Sequence, residues 1–580
     1  MSRKLKKTDD IRVVVGLDFG TTFSGFTYCH VEDKENLENM STNVTWPGQL
    51  GQLKTNTVLE YDDDLREIVL WGYPALAKRP SRKKEKNQRK NIVELFKLHL
   101  GNLPPDLRDE LSVDYKKAIT DYLREIGKCI EETIDAKWNG IKLENVLFIL
   151  SVPAEYDDIA IRTMRECMYN AELIGDDLYT ERLQFTTEPE AAAIYCMDNL
   201  KEHDLFRNGT TFMIVDCGGG TVDLTTRKLL NNKQLGEVTE RTGGFYGSTF
   251  IDRAFKNYLR RKLGKDAIDS FEKEQYGQLQ YIVQEFCENA KLPFTGDDTS
   301  FNYELDLEDF IVLLEDYVSD GDVKKELEND ENLIKFDYEA IKSMFDPIVE
   351  NIITLIRNQL NNSREKGSTP SIMFLVGGFS ESNYLQKRIK DEFRDHVNNI
   401  SVPQSPTAAI SRGAAMYGLS LFSGVDLGAK KAKGVIGSRV LKHTYGVDVL
   451  RPWDPRDPQD RVGLSIFGPS TLYFNAIAKR GTVAKVDDKF PIEGLTVSPC
   501  HPYQDAAEFE IYYTREYDAK FSHETGMKLL GKLKIDWPGV GLNRSVTFRL
   551  SFCEMEITAT ATNDLTGQNY HTYFEINTES

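Results

Sequence analysis

The sequence predicts an α/β protein that ends in a domain of antiparallel strands. In the first 420 residues or so, short apolar runs alternate with helix-length segments, which is typical of α/β layers. After about Leu441 the apolar residues recur at every second position, as in Val546, Phe548 and Leu550, which indicates half-buried antiparallel strands. The length of 580 residues corresponds to about four domain-sized units of roughly 150 residues each.

Four apolar runs are predicted to be buried strands of the α/β part, and each is bounded by Gly or Pro, where ligand-holding loops are expected. These strands are Ile11–Leu17, Asn145–Val152, Phe212–Val215 and Ile372–Val376. The predicted helices between them are Asp114–Ile134, Asp157–Leu173, Ile251–Leu263 and Tyr338–Leu360. Residues 424–436 are small and basic, which is typical of a linker. Arg451–Pro458 is rich in proline and is predicted to be a loop.

Composition excludes several classes of protein. The net charge of 72 − 91 = −19 disfavours a nucleic-acid-binding face, which needs clustered positive charge. No apolar run approaches the roughly 20 residues of a membrane span, and the hydrophilic N-terminus does not resemble a secretory signal. The eight cysteines are scattered without CxxC pairs, so we expect reduced thiols and a cytoplasmic location.

Two charged segments have more than one interpretation. The run Lys78–Lys90 holds eight basic residues. It is either a solvated loop, the interpretation we favour, or a signal for entry into the nucleus or a patch for a partner. The segment Asp297–Glu331 holds fourteen acidic residues and two lysines. It is either a docking surface on an amphipathic helix or, as we favour, an acidic face over a small apolar core.

Two glycine-containing loops carry the chemistry. Asp18–Phe23, of sequence DFGTTF, directly follows the first strand, and Asp216–Asp223, of sequence DCGGGTVD, follows the third. In both, an acidic residue suits a hydrated metal ion, while the glycines let backbone N–H groups point at a phosphate. Two such loops about 200 residues apart predict a clamp for phosphates between two facing lobes.

With three further motifs, these loops resemble the seventy-kilodalton heat-shock chaperones of the actin-like ATPase superfamily. The further motifs are Val152–Tyr156 with Thr187–Ala193, Leu375–Gly378, and Pro406–Ala415. Phe474–Gly481 and Gly526–Gly531 resemble parts of the family's β-sandwich domain. The implied fold is a two-lobed, actin-like and ribonuclease-H-like ATPase domain followed by a C-terminal antiparallel β-sandwich.

The resemblance also implies domain boundaries. A flexible N-terminus of residues 1–10 precedes a nucleotide-binding domain of residues 11–422, which consists of lobe I (about 11–205) and lobe II (about 206–422). The upper subdomain of lobe II spans about 246–335. A linker of residues 423–440 leads to the β-domain of residues 441–580, and the helical lid of the family is expected to be absent.

The resemblance assigns roles around ATP or ADP and Mg²⁺. Asp18 and Asp216 would hold the Mg²⁺ through water, and Glu188 would lie in its outer shell. Asp223 would orient the attacking water, as would Lys97, for which a solvated helix lysine is the alternative. The β- and γ-phosphates would contact Thr21, Thr22, Gly218, Gly219, Gly220 and Thr221. The remaining nucleotide contacts would be Gly20, Phe23, Gly243, Gly244, Gly247, Glu288, Lys291, Gly377 and Gly378.

The chain departs from the family pattern at the base end of the site and in the linker. Leu292 follows Lys291 where the family has a base-stacking arginine, and Glu381 or Ser382 stands where a second arginine is expected. Losing two guanidinium planes puts base affinity and selectivity in doubt. The Gly- and Lys-rich linker and the expected absence of a lid resemble the divergent subfamily numbered twelve in vertebrates.

The sequence supports three functions, of which one leads. The first is a slowly hydrolysing, ATP-binding chaperone of the stress response, whose β-domain binds unfolded or extended polypeptides while co-chaperones bind the upper lobe. The second is a scaffold for a dedicated protein partner that binds nucleotide without useful hydrolysis. The third, a small-molecule kinase of the same superfamily, is disfavoured by the appended β-domain. No nucleic acid or membrane partner is expected.

Overall fold

The computed structural model describes residues 10–33, 39–76, 91–100, 108, 110–154, 156–197, 199–230, 234–310, 313–422, 435–465, 468–485, 489–552 and 557–572. These residues form a mixed α/β molecule with several sheets, as the sequence predicts. The basic run Lys78–Lys90 and residues 423–434 of the predicted linker lie outside the described residues. Within the described ranges, no helix has both the length and the apolar character needed to cross a bilayer.

The first part of the chain folds around one sheet. Its elements are β1 (Val13–Asp18), β2 (Phe23–His30), β3 (Ser41–Thr42), β4 (Thr45–Trp46), β5 (Gln49–Leu50), β6 (Thr55–Asn56), β7 (Val58–Tyr61), β8 (Ile68–Trp71), α1 (Tyr73–Leu76), β9 (Ile92–Glu94), α2 (Tyr115–Lys137), β10 (Val146–Val152), α3 (Asp158–Asn170), β11 (Leu183–Thr187), α4 (Glu188–Cys196) and α5 (Asn199–Glu202). The sheet runs β11-β10-β1-β2-β3, with β6 beside β2. β1 is parallel to β10 and antiparallel to β2.

The second part folds around another sheet. Its elements are β12 (Thr211–Cys217), β13 (Val222–Leu229), β14 (Leu235–Glu237), β15 (Thr242–Gly244), α6 (Thr249–Leu263), α7 (Lys265–Glu274), α8 (Tyr276–Phe286), β16 (Tyr303–Asp306), α9 (Gly321–Asn329), β17 (Leu333–Phe336), α10 (Tyr338–Glu365), β18 (Ile372–Val376), α11 (Asn383–Phe393), β19 (Asn399–Ser401) and α12 (Ala409–Ser420). The four predicted strands and the four predicted helices are confirmed to within a few residues, and the largest difference is at α10, which was predicted to end at Leu360 and ends at Glu365.

The remaining elements are strands. They are β20 (Ile436–Val440), β21 (Thr444–Pro452), β22 (Gly463–Ser465), β23 (Gly468–Ala478), β24 (Val483–Lys485), β25 (Lys489–Val497), β26 (Ala506–Thr514), β27 (Lys528–Asp536), β28 (Val546–Ser551), β29 (Thr558–Asn563) and β30 (Asn569–Thr572). β20 and β24 extend the second sheet, whose order is β19-β18-β12-β13-β14-β20-β24 with β15 beside β13. The others form two antiparallel sheets, β22-β23-β21-β26-β27 and β25-β28-β29-β30. These two sheets share one hydrophobic cluster, in which Phe509 packs on Phe548.

The cores lie on both faces of the first sheet. Because successive residues of a strand point to opposite faces, Val13, Val15 and Leu17 of β1 pack with α2 and α3, whereas Val14 packs with α4 and α12. The helix α4 also contacts β12 and β13 of the second sheet, and α12 packs on α4. They therefore lie between the two sheets and hold their carboxyl-terminal loops opposite each other.

Two predictions from the sequence need correction. The proline-rich segment Arg451–Pro458 was expected to be a loop throughout, but β21 runs to Pro452. There the strand pairs with β23, whereas its pairing with β26 covers only Thr444–Val447, so the missing proline N–H interrupts no ladder.

The acidic segment Asp297–Glu331 is not one amphipathic helix. Tyr303 and Leu305 are buried in strand β16 while Glu304 and Asp306 are exposed, and β16 pairs with β17. The favoured interpretation, an acidic face over a small apolar core, is confirmed.

Candidate functional site

The two glycine-containing loops face each other directly. The loop after β1 places Thr22 against Gly219 so closely that a Cβ on Gly219 would lie 1.8 Å from Thr22 Oγ1. A Cβ on Gly220 would lie 2.8 Å from Thr21 Oγ1. Glycine at both positions is therefore a requirement of this approach, because any side chain would force the loops apart.

A third loop supports the second one. Ser248 N donates to Gly218 O at 3.1 Å and Thr249 N donates to Gly219 O at 3.0 Å. A Cβ on Gly247 would lie 2.2 Å from Gly219 O. Gly243 and Gly244 lie in β15, paired with β13. The glycines of this loop thus hold the second loop in shape, and Ser248 and Thr249 line the cavity in their place.

The facing loops open into a cleft of about 980 Å³, which is at the upper end of the range for small-molecule and cofactor sites. Among the predicted site residues, those that line it are Asp18, Gly20, Thr21, Thr22, Phe23, Lys97, Glu188, Asp216, Gly218, Gly219, Gly220, Thr221, Glu288, Lys291, Gly377 and Gly378. Residues from six distant segments of the chain are thus brought together.

Asp223 is placed differently from the other acidic residues. It is buried on β13, and its Oδ1 accepts a hydrogen bond from Ala154 N at 2.8 Å. It is absent from the described lining of the cleft. In this arrangement Asp223 joins the second loop to the segment after β10, which favours a positioning role over direct contact with water.

Two lysines and three carboxylates form the floor of the cleft. Lys97 Nζ lies 2.7 Å from Glu188 Oε1, with 3% and 8% of these side chains exposed. Lys54 Nζ lies 2.6 Å from Asp18 Oδ2, with 12% and 2% exposed. The alternative of a solvated helix lysine is therefore wrong for Lys97, which is buried inside the cleft.

Asp216 is the carboxylate with the least compensation. Its Oδ1 is buried and has no hydrogen-bond donor within the described part of the chain. Burial, together with the nearby charges of Glu188, Asp223 and Asp18, raises its pKa well above the usual range. Gly377, at φ +84°, faces the same oxygen, and a Cβ there would lie 2.4 Å from it. The floor of the cleft thus has an excess of buried negative charge beside an oxygen that lacks a partner.

Glu188 and Lys54 show the same competition between burial and charge. Burial, together with the charge of Asp18, raises the pKa of Glu188 although Lys97 and Lys54 act in the opposite direction. Burial alone would lower the pKa of Lys54, but Asp18, Asp216 and Glu188 together raise it. The Lys54 ammonium is thus held in its charged form by the carboxylates around it.

At the end of the cleft where a nucleotide base is expected, Lys291 and Glu381 already have hydrogen-bond partners within the protein. Lys291 Nζ donates to Ser248 O at 2.9 Å and to Asp252 Oδ1 at 2.6 Å. Glu381 Oε1 accepts from Thr407 Oγ1 at 2.5 Å. Leu292 is 49% exposed, and Arg253 lies over the Phe250 ring, with its Cζ 5.3 Å from the ring centroid.

Comparisons with known proteins identify the relatives of this chain. Heat shock 70 kDa protein 12A of Mus musculus is 25% identical over 96% of this chain and 90% of its own length. Heat shock 70 kDa protein 12B of Homo sapiens is 24% identical over 90% of this chain and 84% of its own length. Chaperone protein DnaK of Burkholderia cenocepacia (strain HI2424) is 23% identical over 74% of this chain and 64% of its own length.

The chain is similar over most of its length to heat-shock proteins of the seventy-kilodalton type. The resemblance to subfamily twelve that the linker suggested is confirmed, because both 12-type proteins match most of the chain. A family model described as a domain of unknown function (DUF8340) matches residues 207–402, the part that contains β12 to β19.

Two residues that line the cleft, Lys54 and Arg253, were not predicted from the sequence. Lys54 lies between the two-residue strands β5 and β6, and no motif surrounds it. Arg253 lies on α6 behind the third loop, among ordinary helix residues. The sequence around Lys54, with Thr55 and Asn56, indicates only a polar segment. The pairing of β6 with β2 is what brings Lys54 to Asp18.

A second cluster of buried charged side chains lies next to the cleft. We call it the Glu190 cluster, and it consists of Glu190, Arg227, Glu237, Arg241 and Arg439, all at most 9% exposed. Arg439 donates from Nε to Glu190 Oε1 at 3.1 Å and from Nη2 to Glu190 Oε2 at 3.0 Å. Arg227 Nη2 lies 3.5 Å from Glu190 Oε1 and 3.3 Å from Glu237 Oε1. The cluster therefore joins α4, the second sheet and β20.

Proposed function

We propose that this protein binds ATP and ADP with Mg²⁺ in the cleft and hydrolyses ATP slowly, in the manner of a heat-shock chaperone. The observation that carries the proposal is the pair of facing loops, with Gly219 and Gly220 against Thr22 and Thr21, over a floor of buried carboxylates. Phosphate-binding loops need such close backbone approach and N–H groups without side chains in the way.

The residues on the floor fit a hydrated divalent cation. Asp18 and Asp216 supply carboxylates, Asp216 Oδ1 has no donor among the described residues, and Gly377 leaves space beside it. Mg²⁺ usually retains several waters and binds through one or two carboxylates. In our proposal Asp18 and Asp216 hold Mg²⁺ through such waters, and the ion would neutralise phosphate charge there.

The protein's own groups would then position the attacking water. Lys97 is fixed by Glu188 at 2.7 Å and lies on the cavity wall with Thr221. Phosphoryl transfer depends mainly on such positioning and on charge stabilisation. We propose that Lys97, Glu188 and Thr221 orient that water, while Asp223 fixes the loop.

We propose further that the C-terminal sheets form the β-sandwich of a polypeptide-binding domain. Their shared hydrophobic cluster supports this. The division would be residues 11–422 for nucleotide binding, 423–440 for the linker and 441–580 for the β-domain, with the end of the linker forming β20 of the second sheet. Nucleotide-driven lobe movement would reach the β-domain through β20, which is hydrogen-bonded to the second sheet. Polypeptide clients, co-chaperones at the upper lobe, a role in stress response and a cytoplasmic location remain predictions.

A second candidate is a scaffold that binds nucleotide without useful hydrolysis. The observation that favours it is the base end, where Lys291 is bound to Asp252 and Ser248 and Leu292 replaces an arginine. Weak base recognition would make nucleotide affinity depend on the phosphates and would reduce discrimination between ATP and GTP.

Thermal melting combined with phosphate release distinguishes these functions. At about 100 times the dissociation constant, Mg-ATP and Mg-ADP should each stabilise the protein by about 2.7 kcal/mol, and Mg-ATP should yield phosphate slowly. A shift without phosphate release would favour the scaffold, and a GTP shift equal to the ATP shift would show that the base is not read. If no nucleotide shifts the melting temperature, nucleotide binding is refuted.

A client assay then tests the chaperone part of the proposal. An unfolded client should aggregate less in the presence of the protein, and ATP should change the extent of protection. Equal aggregation with and without nucleotide, in a protein that does bind ATP, would refute the coupling of the cleft to the β-domain.

A further inference from the structure

Lys54 is fixed in the cleft by the backbone on both sides of it. It precedes β6, and β6 pairs with β2 through Thr55 and Ser24. Thr57 N donates to Thr22 O at 2.8 Å. The lysine is therefore held beside the first phosphate loop by strand pairing, and its direction does not depend on a flexible loop.

The stem of Lys54 occupies space that a glycine provides. Gly25 in β2 stands opposite Asp18 in β1. A Cβ on Gly25 would lie 2.9 Å from Lys54 Cγ and 2.7 Å from Leu53 O, closer than side chains approach. The absence of a side chain at Gly25 thus lets the lysine cross the strand and reach the carboxylate of Asp18.

The ammonium of Lys54 lies where the cleft needs positive charge. It is 2.6 Å from Asp18 Oδ2, and Asp216 and Glu188 also act on it electrostatically. The other buried lysine of the floor, Lys97, is bound to Glu188. Lys54 is therefore the cation on the side of the cleft where Asp18 and Asp216 are proposed to face the metal.

A structural ion pair alone does not account for this arrangement. Replacing a buried ion pair by apolar residues is often neutral or stabilising, and here the pair lines a cavity together with Thr21 and Thr22. A lysine ammonium with three donors is a common partner of phosphate oxygens. With a nucleotide in the cleft, the phosphates of that nucleotide would add negative charge next to it.

We propose that Lys54 is a tethered counter-cation for the nucleotide's phosphates, so that the cleft retains di- and triphosphates with little need for Mg²⁺. The inference rests on the proposed nucleotide-binding function. It assigns to Lys54 a part of the charge neutralisation that Mg²⁺ would otherwise provide alone.

The wild-type protein supplies the first test without any substitution. The dissociation constant of a fluorescent ADP analogue is measured by anisotropy under two conditions. In the first, an excess of EDTA removes divalent cations, and in the second, Mg²⁺ is saturating. We expect affinity in EDTA to lie within about tenfold of that with Mg²⁺. Affinity that falls more than about 100-fold in EDTA would overturn the proposal.

Substitution of the lysine provides the second test. Lys54→Met should weaken ADP binding in EDTA by roughly 10- to 100-fold, the effect of losing a charge-assisted hydrogen bond, and should weaken it much less when Mg²⁺ is present. Lys54→Arg, which keeps the charge, should retain most of the binding in EDTA. Lys273→Met is the matched control, because this lysine also lines the cleft but is exposed, whereas Lys54 is paired with Asp18.

The two proposals fail in different ways. If wild type binds ADP only with Mg²⁺ and Lys54→Met behaves identically, the role of Lys54 is refuted while nucleotide binding stands. If wild type binds no nucleotide with or without Mg²⁺, both are refuted. Circular dichroism and melting without ligand verify that each variant is folded. If Lys54→Met does not fold, the metal dependence of nucleotide binding by wild type and the binding by Lys54→Arg still test the role of Lys54.

Discussion

Two glutamates on helix α4 differ in their surroundings although only one residue separates them. Glu188 lies in the cleft, where burial raises its pKa. Glu190 lies in the Glu190 cluster, where burial would also raise the pKa, but Arg439, Arg227 and Arg241 hold it at about 2. The same helix therefore carries one carboxylate in a site that lacks positive charge and one in a site where arginines compensate the negative charge.

The difference shows how a ligand site is distinguished from a structural network. The Glu190 cluster combines two carboxylates with three guanidinium groups, each within 3.5 Å of a carboxylate. In the cleft region, Asp18, Glu188, Asp216 and Asp223 are opposed by Lys54 and Lys97. A compensated cluster stabilises the fold by itself, whereas an uncompensated one is stabilised when cations arrive with a ligand.

The largest effect should come from breaking the compensated cluster. Arg439→Met leaves Glu190 without its bidentate partner in a buried site, and we expect the free energy of unfolding to fall by about 3–5 kcal/mol. Urea denaturation followed by fluorescence measures the change. Arg456→Met, at a side chain that is 90% exposed, is the control and should change stability by less than about 0.5 kcal/mol. Equal effects of the two substitutions would show that the Glu190 cluster carries no special stability.

Asp216→Asn should have the opposite sign in the absence of ligand. The substitution removes a buried charge that has excess negative neighbours, so the free protein should be stabilised by about 1 kcal/mol or more. The stabilisation by Mg-nucleotide, about 2.7 kcal/mol at 100 times the dissociation constant, should fall to about half, because Lys54 is proposed to keep the affinity without Mg²⁺ within about tenfold. Melting with and without Mg-ADP measures both quantities, with Asp306→Asn, at an exposed position of β16, as the control. An unchanged nucleotide shift would refute the role of Asp216 in the second loop.

Lys97→Ala should separate binding from hydrolysis. Because Lys97 is proposed to orient water and not to hold phosphate, we expect nucleotide affinity within about threefold of wild type and phosphate release slowed by roughly 100-fold. Single-turnover phosphate release and the melting shift measure the two quantities. Unchanged turnover would mean that another group positions the water.

The smallest effect should be a difference in acid sensitivity. The folded pKa of Glu190, about 2, lies below its ordinary value of 4.5, so its stabilisation is complete above about pH 5 and is lost as the pH falls towards 2. At pH 3.5 this loss amounts to about 1 kcal/mol. Urea midpoints at pH 6 and pH 3.5 should therefore fall less steeply in Glu190→Gln than in wild type. Parallel decreases in the two proteins would contradict the depressed pKa.

The sequence predicts the parts of this molecule that are locally encoded. Strand β12 and the loop after it are evident from an apolar run followed by three glycines, and Lys97 could be proposed because the family that the chain resembles uses a lysine to position water. Lys54 and Arg439 could not be predicted, since their neighbours come from segments far away along the chain. Pro452 was assigned to a loop because residue type alone does not show that one edge of a strand is unpaired.

Strand β20 has a consequence for how the chain can be divided. It supplies the neighbour of β14 in the second sheet, and it carries Arg439 into the Glu190 cluster. A fragment that ends at Phe422 would expose the edge of β14, which invites pairing between molecules, and would leave Glu190 short of a counter-charge. The nucleotide-binding part therefore depends on β20 for its structure. Measurements on a chain cut at Phe422 would report on a protein with an exposed strand edge, and not on the intact molecule.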